Sequence, residues 1–580
     1  VATLSSERMG YERVSAALAR PRAMCRIALF ALLLNLPSLA IGLQGDDYDI
    51  ARQVGEEPWG AFAFTPAEPS AAREQSVLRK QLGLAPWWQD DAYRQRFLRP
   101  LASISHWFDS QILAAPAWLM HLENVLLYVL LVAVVGLAYR SVELAAPSAA
   151  LASLFYACNA GPASSVGWIS GRNTVLSALF GLLSVGCFAR ACSRRDLRAG
   201  LASLLAYAAG LASGEGTVAA CAWLAAYALT LDERPRRQRW LSLLPFVVLT
   251  VLWRVYYVRH GYGAVASGFH RDIAADPLGF ARQFLLLLPI YFASQLTAPF
   301  ATLAGLFPGS MLPTLGLALL VLAVLRRPLW QLLRTQPRAR FLALGAAGSV
   351  APLAATVAQD RLAYFVAFGA LGLVAQLLAA STPAQRKARF GIGILWRQHA
   401  LWAPPLYVAL SFGCKSSLLG GSAAALAAVA PLAQTSTVLI NGPSALAPHF
   451  VTQMRARWAQ PCPRFRMLYA GGDAVTVKRT GARSLELQAS HGWLATALGS
   501  LGRDLERAPF AAGQRVVLPD VQIDVLEINA RAAPFRVSFQ FANDLDGGEL
   551  RLLAWRAGQY VAWRAPPLGE SKTLPFALPL

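Results

Sequence analysis

The sequence predicts a polytopic α-helical membrane protein of about eleven spans, followed by a small C-terminal β-rich domain, and three observations carry that expectation. The 580 residues are 56% hydrophobic and only 15% charged, with mean hydropathy +0.41, which is too apolar for a water-soluble globule. Apolar runs of membrane-spanning length alternate with short arginine-rich stretches. From about Thr435 the long runs give way to short alternating segments separated by turn signals.

The net charge of +21 and pI near 10.2 would point to nucleic acid in a soluble chain. Here the basic residues sit between apolar segments, at Arg140, Arg194 to Arg198, Arg234 to Arg239, Arg326-Arg327, Arg334 to Arg340 and Arg386 to Arg389. They read as cytoplasmic loops, so membrane lipid is expected as a partner and nucleic acid is not. The seven cysteines are scattered without paired or zinc-type spacing, and most fall in apolar runs, where they read as small packing residues.

In chain order, residues 1–24 read as a cytoplasmic N-terminus, with Arg20, Arg22 and Arg26 preceding the first apolar run, Ile27 to Leu43. No small-residue cleavage site follows that run, so it is expected to stay as a span at 25–43. Residues 44–117 form a long extracytoplasmic loop. Its Trp59, Trp87, Trp88 and Trp107 are interleaved with Arg79, Lys80, Arg94, Arg96 and Arg99, a mixture suited to helices at headgroup level. Further spans are expected near 118–138, 146–162, 174–191, 199–213, 217–231, 239–256, 310–325, 340–357, 362–380 and 402–417. Ala281 to Phe300 is apolar but breaks the charge alternation, and reads as an interfacial or re-entrant helix carrying Pro289 and Pro299. The membrane domain is thus 25–432. An odd number of crossings puts the β-rich domain, 433–580, outside the cytoplasm; the expected setting is a bacterial inner (plasma) membrane. Strands are expected at Val516 to Leu518, Val521 to Leu526 and Phe535 to Phe541, with a turn at Asn543 to Gly548.

The chemistry-bearing residues cluster at the outer ends of the expected spans. Gly45-Asp46-Asp47-Tyr48-Asp49-Ile50 emerges directly from the first span, and adjacent aspartates at a membrane boundary are expensive unless they line a polar cleft. Arg99, His121, Asn124, Arg172, Asn173, Glu215, Asp360, Arg361 and Tyr364 fall on the same side, and form the candidate substrate-binding set. Glu215 sits between Gly214 and Gly216 at a hairpin tip, where it either faces a ligand or caps the next helix.

Several of these residues fall in segments that resemble a family. Arg99-Pro100-Leu101, then Trp118 to Leu127 with His121 and Asn124, then Val166-Gly167-Trp168-Ile169-Ser170-Gly171-Arg172-Asn173 resemble segments of the membrane O-mannosyltransferases that often carry tetratricopeptide repeats. Ser213-Gly214-Glu215-Gly216-Thr217 resembles their Lys-Glu motif and Asp360-Arg361-Leu362-Ala363-Tyr364 their Glu-Arg-Tyr-x-Tyr motif, the whole match being spread over about 25–380. The resemblance implies a GT-C-class, inverting glycosyltransferase using a polyprenyl-phosphate-linked sugar on the outer face. The chain departs from that family at Asn159-Ala160 and Ser164, where members have His-Pro and Glu, at Gly214, where they have Lys, and in lacking the repeats.

Sugar transfer to a hydroxyl needs a carboxylate to take the acceptor's proton and cations to hold the departing phosphate. Asp46 or Asp47 is the expected base, Asp47 being preferred because Tyr48 beside it could wall a sugar site; Arg99, Arg172 and Arg361 are the expected phosphate clamp. The acceptor, the sugar and any metal stay open, a divalent cation near the aspartates being one option. Two other classes fit the same cluster: a transporter or flippase for a lipid-linked glycan, and a non-catalytic envelope scaffold derived from such an enzyme.

Overall fold

The computed structural model describes residues 22–307, 309–380, 390–413, 420–429 and 436–576. The expectations for residues 1–21, for the basic run at 386–389, for Cys414 and for a boundary at 433 fall outside them.

Helices form where the apolar runs were read. The first, Ala23–Asn35, tightens into a 3₁₀ turn at Leu36–Ala40, where Pro37 removes a backbone donor. Ala117–Ser141, Ala146–Ala157, Arg172–Arg194, Leu197–Leu211, Ala219–Thr230 and Arg236–Arg259 follow. Met311–Thr335, Pro337–Gly348, Tyr364–Ala380 and Ala403–Gly413 complete the bundle. Among the described residues six helices are long and apolar enough to cross a membrane. The outer face of Arg236–Arg259 exposes Trp240, Leu244, Val248, Val251, Leu252 and Val255 in a continuous strip, a surface that needs lipid rather than water against it.

One of those six helices, Pro277–Leu296, is tied with its flanks to the segment before helix Tyr364–Ala380. Arg271 N donates to Ala355 O (2.8 Å), Gln283 Nε2 to Thr356 O (2.9 Å), Tyr291 OH to Gln359 O (3.2 Å) and Ser294 Oγ to Asp360 Oδ1 (2.5 Å), and Thr302 N then donates to Asp360 Oδ2 (2.9 Å). Its last turn also accepts from Asn159 Nδ2, at Gln295 Oε1 (2.7 Å), and its side packs on helices Met311–Thr335 and Tyr364–Ala380.

The C-terminal part is built on two sheets. One is antiparallel, ordered Ser571–Leu574, Val475–Gly481, Ser484–Ala489, Pro534–Phe541, Val521–Ile528, Arg515–Leu518. Along Val521–Ile528 the inward Val521, Ile523 and Val525 alternate with the more exposed Gln522 and Asp524, the period-two pattern read from the sequence. In the other sheet Ser436–Leu439 runs parallel to both Phe465–Met467 and Leu550–Arg556.

Residues 44–117 are not a loop lying on a bilayer. They fold into helices Asp46–Glu56, Pro69–Leu82 and Pro100–Trp107, wedged between the bundle and the sheets. Trp88 is 1% exposed, and Trp87 Nε1 and Trp493 Nε1 both donate to Leu468 O at 3.0 Å, so these indoles are core rather than headgroup anchors; Trp59, 60% exposed, remains at the surface. Helix Pro69–Leu82 ends on Gly83 at φ +76°, whose bare Cα faces the Phe465 carbonyl so closely that a Cβ would lie 1.9 Å from its oxygen.

Arg338 pairs with Glu143 (2.9 Å) and Arg234 reaches Cys192 Sγ (2.9 Å), tying the basic loops together at one end of the bundle. Residues 44–117, strand Gly263–Val265, the C-terminal turn of Pro277–Leu296 and the C-terminal sheets meet at the other. A membrane-impermeant maleimide is expected to label Glu74→Cys, Val265→Cys and Glu506→Cys from one side and Glu143→Cys from the opposite side; a split among the first three would refute this common end.

Candidate functional site

At the end where these elements meet lies a cavity of about 1250 Å³. Asp46, Arg99, Asn173, Glu215, Asp360, Arg361 and Tyr364 all line it, so seven of the sequence-derived candidates converge. Asp47, His121, Asn124 and Arg172 do not reach it, and serve the frame behind it.

The two aspartates stand on the first turn of a helix, not on an extended loop. Gly45 sits at φ +52° ahead of it, a left-handed backbone that glycine adopts without strain. Asp47 turns back: Oδ2 accepts from Gln44 N (2.9 Å) and Oδ1 from Ser170 N (2.7 Å). Asp46 turns into the cavity, and among the described residues its carboxylate takes no hydrogen bond, being held in the fields of Arg361 and Arg99. Burial, reinforced by the negative charge of Asp49, pushes Asp46 up to about 7 against the pull of those two guanidiniums. Burial also raises Asp47 to about 7, opposed by the backbone donors of Gln44 and Ser170.

Arg99 donates from Nε to Glu215 Oε2 (2.9 Å) and stacks over Phe97 at 4.4 Å, while Tyr257 OH donates to Glu215 Oε1 (3.2 Å). Glu215 therefore neither caps a helix nor stands free; it orients Arg99. Arg361 donates from Nε to Gln359 Oε1 (2.8 Å) and lies over the Trp168 ring at 5.2 Å. Asp360 accepts from Ser294 Oγ, Thr302 N and Thr302 Oγ1, which spends its carboxylate on anchoring the end of helix Pro277–Leu296 and the turn after it; burial still raises its pKa.

Arg172 is fully buried. It pairs with Asp109 (2.7 Å) and Glu123 (2.9 Å), and donates to Asn124 Oδ1 (2.7 Å) and Met120 O (3.2 Å). Asn124 in turn donates to Trp168 O (3.1 Å), and His121 Nε2 meets Gly42 O at 3.0 Å. The residue expected to clamp a phosphate thus spends its donors on protein carboxylates, the Asn124 amide and a backbone carbonyl, away from the cavity.

Sequence reasoning missed Gln53, Arg79, Tyr257, His270 and Arg271, which also line the cavity. It missed as well the C-terminal helix Ala447–Arg457, whose His449 Nε2 meets Asp49 at 2.9 Å. The one available signal was helical spacing, which sets Asp46, Asp49 and Gln53 on one face. Among the described residues no group of three or more His, Cys, Asp or Glu converges to hold a metal ion.

No protein-family model and no curated protein matches the sequence. Among solved structures the chain is similar to ArnT from Cupriavidus metallidurans bound to undecaprenyl phosphate, with 15% identity and TM-score 0.38 over 76% of this chain and 85% of that one. It is also similar to the apo oligosaccharyltransferase of Archaeoglobus fulgidus, with 13% identity and TM-score 0.41 over 78% and 65%. For the mycobacterial arabinofuranosyltransferase AftD the identity is 16% and the TM-score 0.28 over 73% and 31%.

Two outcomes test the site's frame. Arg172→Leu leaves buried Asp109 without its counter-ion and is expected to cost about 3–5 kcal/mol, read as a lower melting temperature. Asp46→Asn tests the raised carboxyl pKa. A raised folded-state pKa makes ionisation destabilising, progressively as pH rises from the unfolded value of 3.8 through about 7. The variant should therefore melt above wild type at pH 8 and level with it at pH 4.

Proposed function

We propose that the chain is a membrane glycosyltransferase that moves a sugar from a polyprenyl-phosphate donor to a hydroxyl acceptor, with Asp46 as the base. The observation that carries this reading is the Asp46 carboxylate: half-buried on the wall of a large cavity, taking no hydrogen bond among the described residues and lying in the fields of Arg99 and Arg361. A carboxylate with a pKa near 7 is poised to take a proton at neutral pH.

In the reaction the acceptor oxygen forms a bond to C1 of the sugar as the C1–O bond to phosphate breaks. The bonding electron pair leaves with the polyprenyl phosphate, and the acceptor proton passes to Asp46. A single displacement of this kind inverts the configuration at C1. Arg361 would hold the phosphate through its guanidinium fork, and Arg99, oriented by Glu215, would add positive charge as the phosphate departs. Trp253, Tyr257, Phe269 and Phe280 give one side of the cavity an aromatic wall for the prenyl chain. Because Trp253 and Tyr257 lie on the lipid-facing helix Arg236–Arg259, the donor would enter from the bilayer. We place the cavity and the C-terminal domain outside the cytoplasm, since the arginine-rich loops lie at the far end of the bundle.

The roles expected of the two aspartates are thus exchanged, with Asp47 fixing the loop and Asp46 reacting. With the full chain in lipid nanodiscs and a panel of polyprenyl-phosphate sugars, Asp46→Asn should slow release of polyprenyl phosphate by about a hundred- to ten-thousand-fold. Its affinity for undecaprenyl phosphate should stay close to that of wild type. Wild-type turnover should rise with pH through about 7, as Asp46 loses its proton. Unchanged release by Asp46→Asn would remove it from the mechanism.

A further inference from the structure

Helix Asp46–Glu56 brings a second carboxylate to the cavity wall three residues after Asp46. Residues three apart share a helix face, with Cβ atoms about 5–6 Å from each other, so Asp49 and Asp46 stand side by side. Their surroundings differ. Asp46 takes no hydrogen bond among the described residues, whereas Asp49 is buried and His449 Nε2 meets both its oxygens, at 3.0 and 2.9 Å. His449 belongs to helix Ala447–Arg457 of the C-terminal part, and its other ring nitrogen lies 3.3 Å from Arg79 Nη2.

A guanidinium only donates, so His449 Nδ1 accepts from Arg79 and Nε2 carries the hydrogen that points at Asp49. With both nitrogens committed the imidazole is neutral, and burial, helped by the Arg79 charge and opposed by Asp49, holds its pKa below the ordinary value. Asp49 is therefore fixed by a neutral donor rather than by an adjoining cation, and its charge is left to act on its neighbour. Arg52, the next cation along the helix, is turned to Glu56 at 2.7 Å. The other charges around Asp46 are Asp47, tied to Gln44 N and Ser170 N, and the guanidiniums of Arg99 and Arg361, which pull the opposite way. Tyr48 and Tyr93 beside it are neutral phenols, their pKa raised by burial. Among the residues packed on this helix from elsewhere, Arg455 reaches Pro461 O and Arg457 lies over Trp458. His106 and Asp109 pack outside the cavity, the first kept neutral by burial and the second paired with Arg172.

We propose that Asp49 is a positioning residue for the base: fixed by the C-terminal part through His449, its charge draws the acceptor's proton onto Asp46 while Asp49 itself stays bonded to the imidazole. The inference rests on the glycosyl-transfer reading and adds to it the residue that sets the strength of the base. Arg99 and Arg361 suit a departing phosphate, but the same positive charge makes a nearby carboxylate a weaker base. Asp49 offsets that cost. Two unit charges about 6 Å apart change a proton equilibrium by about threefold in water and by about a hundredfold at the effective dielectric of a protein surface.

The test follows melting temperature against pH for the full-length protein in lipid nanodiscs, as wild type, Asp46→Asn, Asp49→Asn and the double variant. Asparagine at 49 keeps an oxygen for His449 Nε2 and loses only the charge, and Asp49→Ser serves as a second uncharged variant. In the wild-type background the margin by which Asp46→Asn outmelts its parent grows from pH 3.8 and levels off near 7, as Asp46 ionises. Without the charge at 49 the margin should be smaller, and should level off about 0.5–2 pH units lower. The pH midpoint for release of polyprenyl phosphate should fall by the same amount in Asp49→Asn. A margin that levels off at the same pH in both backgrounds overturns the proposal, whatever Asp49→Asn does to the melting temperature itself. A margin that moves in a protein whose wild type transfers no sugar at any pH counts against glycosyl transfer and leaves the coupling of the two aspartates standing.

Discussion

A guanidinium cut off from water underlies the whole outer end of the molecule. Arg172, at the head of helix Arg172–Arg194, is satisfied by Asp109, Glu123, Asn124, the Ser105 hydroxyl and a backbone carbonyl from helix Ala117–Ser141. Desolvating a charge this completely is tolerable only with every donor matched, which fixes three segments relative to one another. From Asn124 the constraint passes to the Trp168 carbonyl, from the Trp168 indole to Gln44 O at 3.3 Å, and through Gln44 and Ser170 to Asp47. Asp46 faces the cavity because its neighbour is held by this relay.

The polar residues of the outer end thus divide by whether their hydrogen-bonding capacity is used up. Asp47, Asp360, Arg172 and Asn124 are saturated by protein partners and act as fixings. Asp46, by contrast, keeps its carboxylate off protein donors among the described residues and stands on the cavity wall, where Arg99 and Arg361 act on it through their charge alone.

Much of this was legible in the sequence, and the illegible part has a definite cause. Hydropathy and arginine placement gave the spans and put Asp46, Arg99, Glu215 and Asp360 at one end, because bilayer thickness and loop charge act on local composition. Pro277–Leu296 was read as non-crossing from charge alternation, yet it forms a helix long and apolar enough to cross, and its bonds to residues 355–360 had no trace in the sequence. Side-chain roles were not legible. Arg172 looked like a phosphate ligand since nothing local says that Asp109, sixty-three positions earlier, would reach it. Trp87 and Trp88 looked interfacial since their partner, the Leu468 carbonyl region, lies about 380 positions downstream. Pairings set by tertiary packing leave no periodic trace along the chain.

The bond between Asp49 and His449 joins residues 400 positions apart. During synthesis the aspartate-bearing helix emerges well before its histidine partner. At about 5–20 residues per second the interval is roughly 20–80 seconds. Throughout it Asp49 lacks the imidazole that meets both its oxygens, and helix Ala447–Arg457 is not yet there to pack on Asp46–Glu56. A product truncated before Ala447 would therefore carry its aspartates in an open, hydrated cleft, and the cavity is closed by a late-made segment rather than by the bundle that opens it.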